Sequence, residues 1–165
     1  MALFTPNCAD VATVMFGTLW AGGIVCPLNN LSKMEELTSY LKSSGAKGLT
    51  THISCLDVAR AAARAAGLPL DRILLVGDRD CNSKTMHISS LQHAGNSVGK
   101  ASINPMEDLA FLVYSSGTTG QPKGVMLSHE NMVANALQNT TLDEGNTKWE
   151  NDRNMGFLPL YHIYG

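Results

Sequence analysis

Leu109-Ala110-Phe111-Leu112-Val113-Tyr114-Ser115-Ser116-Gly117-Thr118-Thr119-Gly120-Gln121-Pro122-Lys123-Gly124-Val125 decides the reading of the fold. Its first six residues are an apolar run of strand length, which predicts a buried strand over 109–114. The chain then changes character. Gly117, Gly120 and Gly124 permit positive φ and let backbone N–H groups approach an anion. Ser115, Ser116, Thr118 and Thr119 add short rotatable donors. Lys123 adds a cation on a long stem. Gly124 to Leu127 turns apolar again and predicts a return strand. A donor-rich loop between two strands predicts a phosphate-binding site at a rigid sheet edge. The spacing is not Walker A, because Pro122 comes five residues after Gly117 and Lys123 precedes glycine, not serine or threonine. The same composition also builds ordinary hairpin turns with a solvated lysine; the density of hydroxyls and the flanking apolar strands favour phosphate.

Working outward, helix and strand patterns alternate. Cys8 to Trp20 predicts a buried helix, Gly22-Gly23 a turn, and Ile24-Val25-Cys26 a strand. Met34, Leu37 and Leu41 share one face of a helix over 33–42 that Ser32 is placed to cap. Lys47–Thr51 predicts a short strand. Leu56–Ala66 is an alanine-rich helix stopped by Gly67 and Pro69, with Arg60 and Arg64 on a solvated face. Arg72–Gly77 predicts another strand, with Asp78-Arg79-Asp80 as its exit turn. Cys81 to Asn104 is polar and reads as a surface connection with one helical turn, Ser89–His93. Beyond the loop, Ser128 caps a helix from His129 towards Asn139, and Thr140–Asn154 is again loop-like. This alternation predicts an α/β layered fold, a largely parallel sheet with flanking helices.

Composition narrows the function. Hydrophobic residues make up 44% and charged residues 16%, with net charge −2, the balance of a globular protein. Twelve Lys+Arg against fourteen Asp+Glu give no basic patch, so no nucleic-acid partner is expected. Residues 11–28 carry no charge, yet Gly22, Gly23 and Pro27 break a helix there, so no membrane span is expected. Cys8, Cys26, Cys55 and Cys81 have no Cys-x-x-Cys spacing and read as reduced, mostly buried thiols. His87 and His93 have no carboxylate or thiol at ligand spacing, and Asp78 and Asp80 read as turn residues, so no metal site is assigned.

The loop at 114–125 resembles the signature loop of the adenylate-forming enzymes: acyl-CoA synthetases, 4-coumarate–CoA ligases, luciferases and peptide-synthetase adenylation domains. Met126-Leu127-Ser128-His129-Glu130-Asn131 is similar to the strand and helix start that come after this loop in the acyl-CoA branch. Phe157-Leu158-Pro159-Leu160-Tyr161-His162-Ile163-Tyr164-Gly165 resembles the family's Leu-Pro-x-x-His-x-x-Gly element. Leu19–Val25 with Pro27 and Asn29, Glu35-Glu36-Leu37 and Ser44-Gly45-Ala46-Lys47 resemble the early part of the 4-coumarate–CoA ligase-like group. Asn30 departs from the pattern, standing where relatives usually carry proline.

The resemblance implies an ATP-dependent acid–thiol ligase that activates a carboxylic acid as acyl-AMP and transfers it to coenzyme A. It places Ser115, Ser116, Gly117, Thr118, Thr119, Gly120 and Lys123 on the ATP phosphates, with Lys123 as a clamp and not a base. It places His162 near the substrate carboxylate, with Tyr161 and Tyr164 as candidate pocket walls. Without the resemblance, His162 reads as a packed core histidine and Gly23 and Asn29 as structural. The implied cofactors are ATP, Mg2+ held by ligands mostly outside these residues, and coenzyme A as co-substrate. The implied partner is a small carboxylic acid, aromatic or medium-chain fatty. Family members are several times longer. The expectation is therefore that residues 1–165 are an incomplete part of the large N-terminal domain, without the C-terminal lid. As an isolated chain it is expected to be inactive; the alternative is a non-catalytic remnant that binds phosphate weakly. Location is expected to be cytoplasmic, or peroxisomal if the full-length chain carries a C-terminal signal.

Overall fold

The computed structural model describes residues 1–79, 84–91, 99–115, 123–142, 148, 150–153 and 156–162. Among these, five strands form a parallel sheet: β1 (Ala2–Phe4), β2 (Cys26–Leu28), β3 (Leu49–His52), β4 (Ile73–Val76) and β5 (Met86–His87), in spatial order β2-β1-β3-β4-β5. Three helices connect them, α1 (Asp10–Trp20), α2 (Met34–Ser44) and α3 (Leu56–Ala66). The α/β layered architecture is therefore present. An antiparallel hairpin, β6 (Leu109–Ser115) with β7 (Lys123–Ser128), leads into α4 (His129–Leu142).

Strand periodicity explains the layering. Successive side chains point to opposite faces, so Ala2 and Phe4 join Leu37, Leu41, Ala59, Ala62 and Ala63 of α2 and α3. Leu3 points the other way and joins Val11 and Val14 of α1. The sheet is thus covered on both faces, which is why its strands are short apolar runs and not alternating ones. Ala59, Ala62 and Ala63 are fully buried; their small side chains let α3 lie close to the sheet. The hairpin joins the second core through Ala110 and Phe111.

The hairpin is tied to the sheet just ahead of β2. Val25 N–H donates to the Ala110 carbonyl at 2.9 Å, and Leu112 N–H donates to the Val25 carbonyl at 2.9 Å. Val25 therefore faces β6, and the ladder with β1 runs over 26–28, two residues beyond the expected strand and through Pro27. Other boundaries also move. Lys33, not Ser32, precedes the first turn of α2, and its N–H donates to the Glu36 carboxylate at 3.1 Å. Arg60 is not simply solvated: its guanidinium donates to Thr85 Oγ1 at 2.7 Å. The polar stretch after Arg79 holds an extra strand, because Met86 and His87 pair with Leu74 and Leu75. His87 is structural there, its Nδ1 accepting from Ser89 N–H at 3.2 Å and its Nε2 lying 2.9 Å from the Gly77 carbonyl. The expected cap at Ser128 is present: Asn131 N–H donates to Ser128 Oγ at 3.2 Å, and Ser128 N–H donates to Asn131 Oδ1 at 3.0 Å.

Cys8, Cys26 and Cys55 are free thiols, the last two buried. Asp80, Cys81 and His93 lie outside the described residues. Among the described residues, no helix is long and apolar enough to cross a membrane.

Candidate active site

The C-terminal end of β2, the middle of α2 and the β6–β7 hairpin enclose a cleft of about 600 Å³. Leu28 and Pro27 come from the strand, Tyr40 from the helix, and Val113, Tyr114, Ser115, Val125 and Leu127 from the hairpin. Tyr161 and His162 close the remaining side. The position is the one the topology favours, since open α/β sheets bind ligands beyond the carboxyl ends of their strands.

Two tyrosines shape one wall. The Tyr40 and Tyr114 rings are 4.5 Å apart between centroids and tilted by 46°, within the range of favourable aromatic pairs. The Tyr114 hydroxyl is hydrogen-bonded to Ser43 Oγ. Burial pushes the Tyr40 phenol above its ordinary value, and the nearby Glu36 and Tyr114 add to the shift. This hydroxyl stays protonated at neutral pH and remains available as a donor. Because α2 packs on the sheet through Leu37 and Leu41, Tyr114 and the adjacent Ser115 are braced from the core side.

The polar groups lie at the rim. Ser115 and Lys123 face each other across the last pair of the β6–β7 ladder, and Ser115 Oγ donates to the Lys123 carbonyl at 3.4 Å. Both are exposed at the hairpin mouth. Asn29 holds a turn, its Oδ1 accepting from Leu31 N–H at 2.9 Å and its carbonyl from Ser32 N–H at 3.0 Å. It lines the cleft as well. Its structural role and its place at the site coincide.

The structure brings Ser115 and His162 to one cleft and sets Lys123 beside Ser115. Ser116, Gly117, Thr118, Thr119, Gly120 and Tyr164 lie outside the described residues. Tyr161 lines the cleft; Tyr40 and Tyr114 do so without having been singled out from sequence. Tyr40 sits between Leu37 and Leu41 on a helix, a pattern that signals packing and not a pocket. Among the described residues, no group of three or more His, Cys, Asp or Glu is placed to hold a metal ion. Chemically, the cleft offers an apolar and aromatic interior with a hydroxyl, an amide, an imidazole and a nearby ammonium at its edge. Such a site suits an organic body carrying an anionic end.

Comparison with known proteins gives this arrangement a context. A 4-coumarate–CoA ligase from Pinus taeda is 34% identical over 165 residues, covering 98% of this chain and 29% of its own length. A sulfoacetate–CoA ligase from Cupriavidus necator is 33% identical, covering 100% of this chain and 31% of its own length. Among solved structures, a long-chain-fatty-acid–CoA ligase from Archaeoglobus fulgidus superposes with a TM-score of 0.80 at 30% identity, covering 98% of this chain and 30% of that one. The chain thus spans under a third of the length of these relatives. The model of the AMP-binding enzyme family matches residues 1–165, and the chain belongs to the AMP-binding enzymes.

Proposed function

We propose that this chain supplies part of the nucleotide- and acid-binding domain of an AMP-forming carboxylate–CoA ligase. The observation that carries the reading is the pairing of Ser115 with Lys123 at the hairpin mouth, on the same cleft that His162 borders. In this reading Ser115, Ser116, Gly117, Thr118, Thr119, Gly120 and Lys123 cradle the β- and γ-phosphates of ATP. An oxygen of the acid's carboxylate attacks the α-phosphorus, the bond to the bridging oxygen breaks, and pyrophosphate leaves with the electron pair. Charge accumulates on the departing oxygens, so preorganised donors and the Lys123 ammonium stabilise that step. In the second half-reaction the sulfur of coenzyme A attacks the acyl carbon, the thiol gives up its proton, and AMP leaves. His162 lies at the acid end of the cleft and orients the carboxylate. Magnesium enters only as the ion that accompanies the triphosphate; no residue here is assigned to it.

The tyrosine-walled cleft favours a flat aromatic acid over a medium-chain fatty acid, since Tyr40 and Tyr114 offer ring faces to a planar group. The test has two arms. ATP is titrated into the purified 165-residue chain while the Ser115 and Lys123 amide resonances are monitored; saturable shifts that Lys123→Ala weakens about tenfold or more are expected. Carboxylate-dependent ATP–pyrophosphate exchange is then measured on the protein in its full natural length, with 4-coumarate, benzoate and octanoate. Exchange with the aromatic acids, lost in Lys123→Ala, is the expected result. Exchange that survives Lys123→Ala, or ATP shifts away from the hairpin, overturns the assignment. The isolated chain is expected to form no acyl-CoA above a Lys123→Ala control.

A further inference from the structure

We propose that Asn7 is a positioning residue for the His162 side of the cleft, acting as a one-residue strand that holds the Leu158–Leu160 backbone in register. The proposal rests on the function given above, because it concerns where that site's histidine is held. The Asn7 amide uses both of its ends: Nδ2 donates to the Leu158 carbonyl at 2.7 Å, and Oδ1 accepts from Leu160 N–H at 2.8 Å. This donor-and-acceptor pair to residues i and i+2 copies what a neighbouring strand offers. Two long-range backbone hydrogen bonds of this segment, at Leu158 and Leu160, end on Asn7.

The clamp matters because apolar burial holds the segment weakly: Phe157 is 75% exposed, Leu158 42% and Leu160 38%. Immediately after the clamp, His162 N–H donates to the Pro159 carbonyl at 3.0 Å. That turn starts between the two clamped peptides and ends on His162. Asn7 itself comes three residues after β1, at the carboxyl end of the sheet's second strand in spatial order. It therefore transmits the position of the rigid sheet to Tyr161 and His162 without touching the cleft, since it is not among the lining residues.

The experiment compares Asn7→Ala and Asn7→Asp with wild type in histidine-labelled protein, read by ring carbon–proton NMR. Asn7→Asp is nearly isosteric and keeps the acceptor for Leu160 N–H, but loses the donor to Leu158. The expected result is a His162 cross-peak that moves strongly in Asn7→Ala and less in Asn7→Asp, with His52 and His87 unmoved. In full-length enzyme, the KM for the acid rises about tenfold in Asn7→Ala while the KM for ATP holds, a loss of about 1.4 kcal/mol. If His52 and His87 also move in Asn7→Ala, Asn7→Asp decides: movement of His162 alone supports the clamp, and no movement of His162 overturns it. An unchanged His162 peak in Asn7→Ala overturns it outright. The NMR arm needs no turnover, so a protein that fails the exchange assay sinks the proposed function and leaves the clamp standing or falling by itself.

Discussion

Gly67 and Gly77 adopt nearly the same backbone, with φ of 76° and 77°, in opposite surroundings. A Cβ at Gly67 meets nothing within 4 Å, whereas one at Gly77 lies 2.3 Å from His52 Cδ2 and 2.7 Å from Nε2. Neither partner at Gly77 is free to move. The His52 ring lies 2.8 Å from Ser54 Oγ and accepts from Ser54 N–H at 3.2 Å. The Gly77 peptide is held by the Asp10 carboxylate, 2.9 Å from its N–H, and by His87 at its carbonyl. Gly67→Ala therefore carries the left-handed backbone penalty alone, about 1–2 kcal/mol. Gly77→Ala carries the same penalty, about 1–3 kcal/mol of overpacking, and about 1 kcal/mol for the displaced ring's hydrogen bonds. The gap between the two variants is expected to be about 2–4 kcal/mol in urea unfolding, from those same terms. In a His52→Ala background the Gly77→Ala penalty should shrink towards that of Gly67→Ala, a coupling the double-mutant cycle measures directly. Equal penalties for the two glycines, or no relief from His52→Ala, would refute the steric argument.

Two more outcomes are expected in the core. Thr50 is fully buried and its Oγ1 has no hydrogen-bond partner among the described residues. Thr50→Val should stabilise the chain by about 1 kcal/mol, a rise of about 2–4 °C in Tm by calorimetry; destabilisation would mean that the hydroxyl is satisfied. Burial pushes the Cys26 thiol up to about 11 from 9.0, against the opposing effect of a hydrogen bond with Ser44. The folded state then keeps a proton that the unfolded state releases between those values. Its contribution is whole below pH 9 and is lost as pH rises to 11, about 2–3 kcal/mol in all. Unfolding free energies of wild type and Cys26→Ala measured across that window should converge as pH rises, and parallel curves would contradict the assignment.

What the sequence made legible was local. Leu56–Ala66 has the expected bounds, because an alanine-rich run ends on Gly67, whose left-handed backbone closes the helix. The hairpin was readable because both strands and the loop between them lie within about twenty residues. What escaped depended on distant partners. Met86 and His87 are a strand by virtue of pairing with Leu74 and Leu75, and their polar neighbours gave no period. Pro27 sits in a ladder that proline usually disfavours, tolerated on a strand at one end of this sheet's order. Glu36 reaching back to Lys33 displaced the expected serine cap. At the site, the hairpin residues stood out through a donor-rich composition between apolar strands, and His162 only through the family resemblance. Tyr40 looked like helix packing, and Asn7 lies 151 and 153 residues from its two partners.

The spatial order of the sheet has a consequence for how the chain assembles during synthesis. Of the five strands of this sheet β1 is made before the other four, yet it lies between two of them, pairing Ala2 with Cys26 on one side and with Leu49 on the other. Among these five strands no pairing can begin until β2 has emerged, and β1 keeps one edge open to them until β3 arrives. From there β4 and β5 add outward in the order they are translated, while β6 arrives later against the opposite margin beside Val25. These strands thus add to β1 in both directions, and each addition closes a loop of moderate length and not one spanning the chain. Pulse-labelled hydrogen exchange should protect the amides of β1 and β3 before those of β6, so the cleft, which needs β2 and the hairpin together, is among the last features to form.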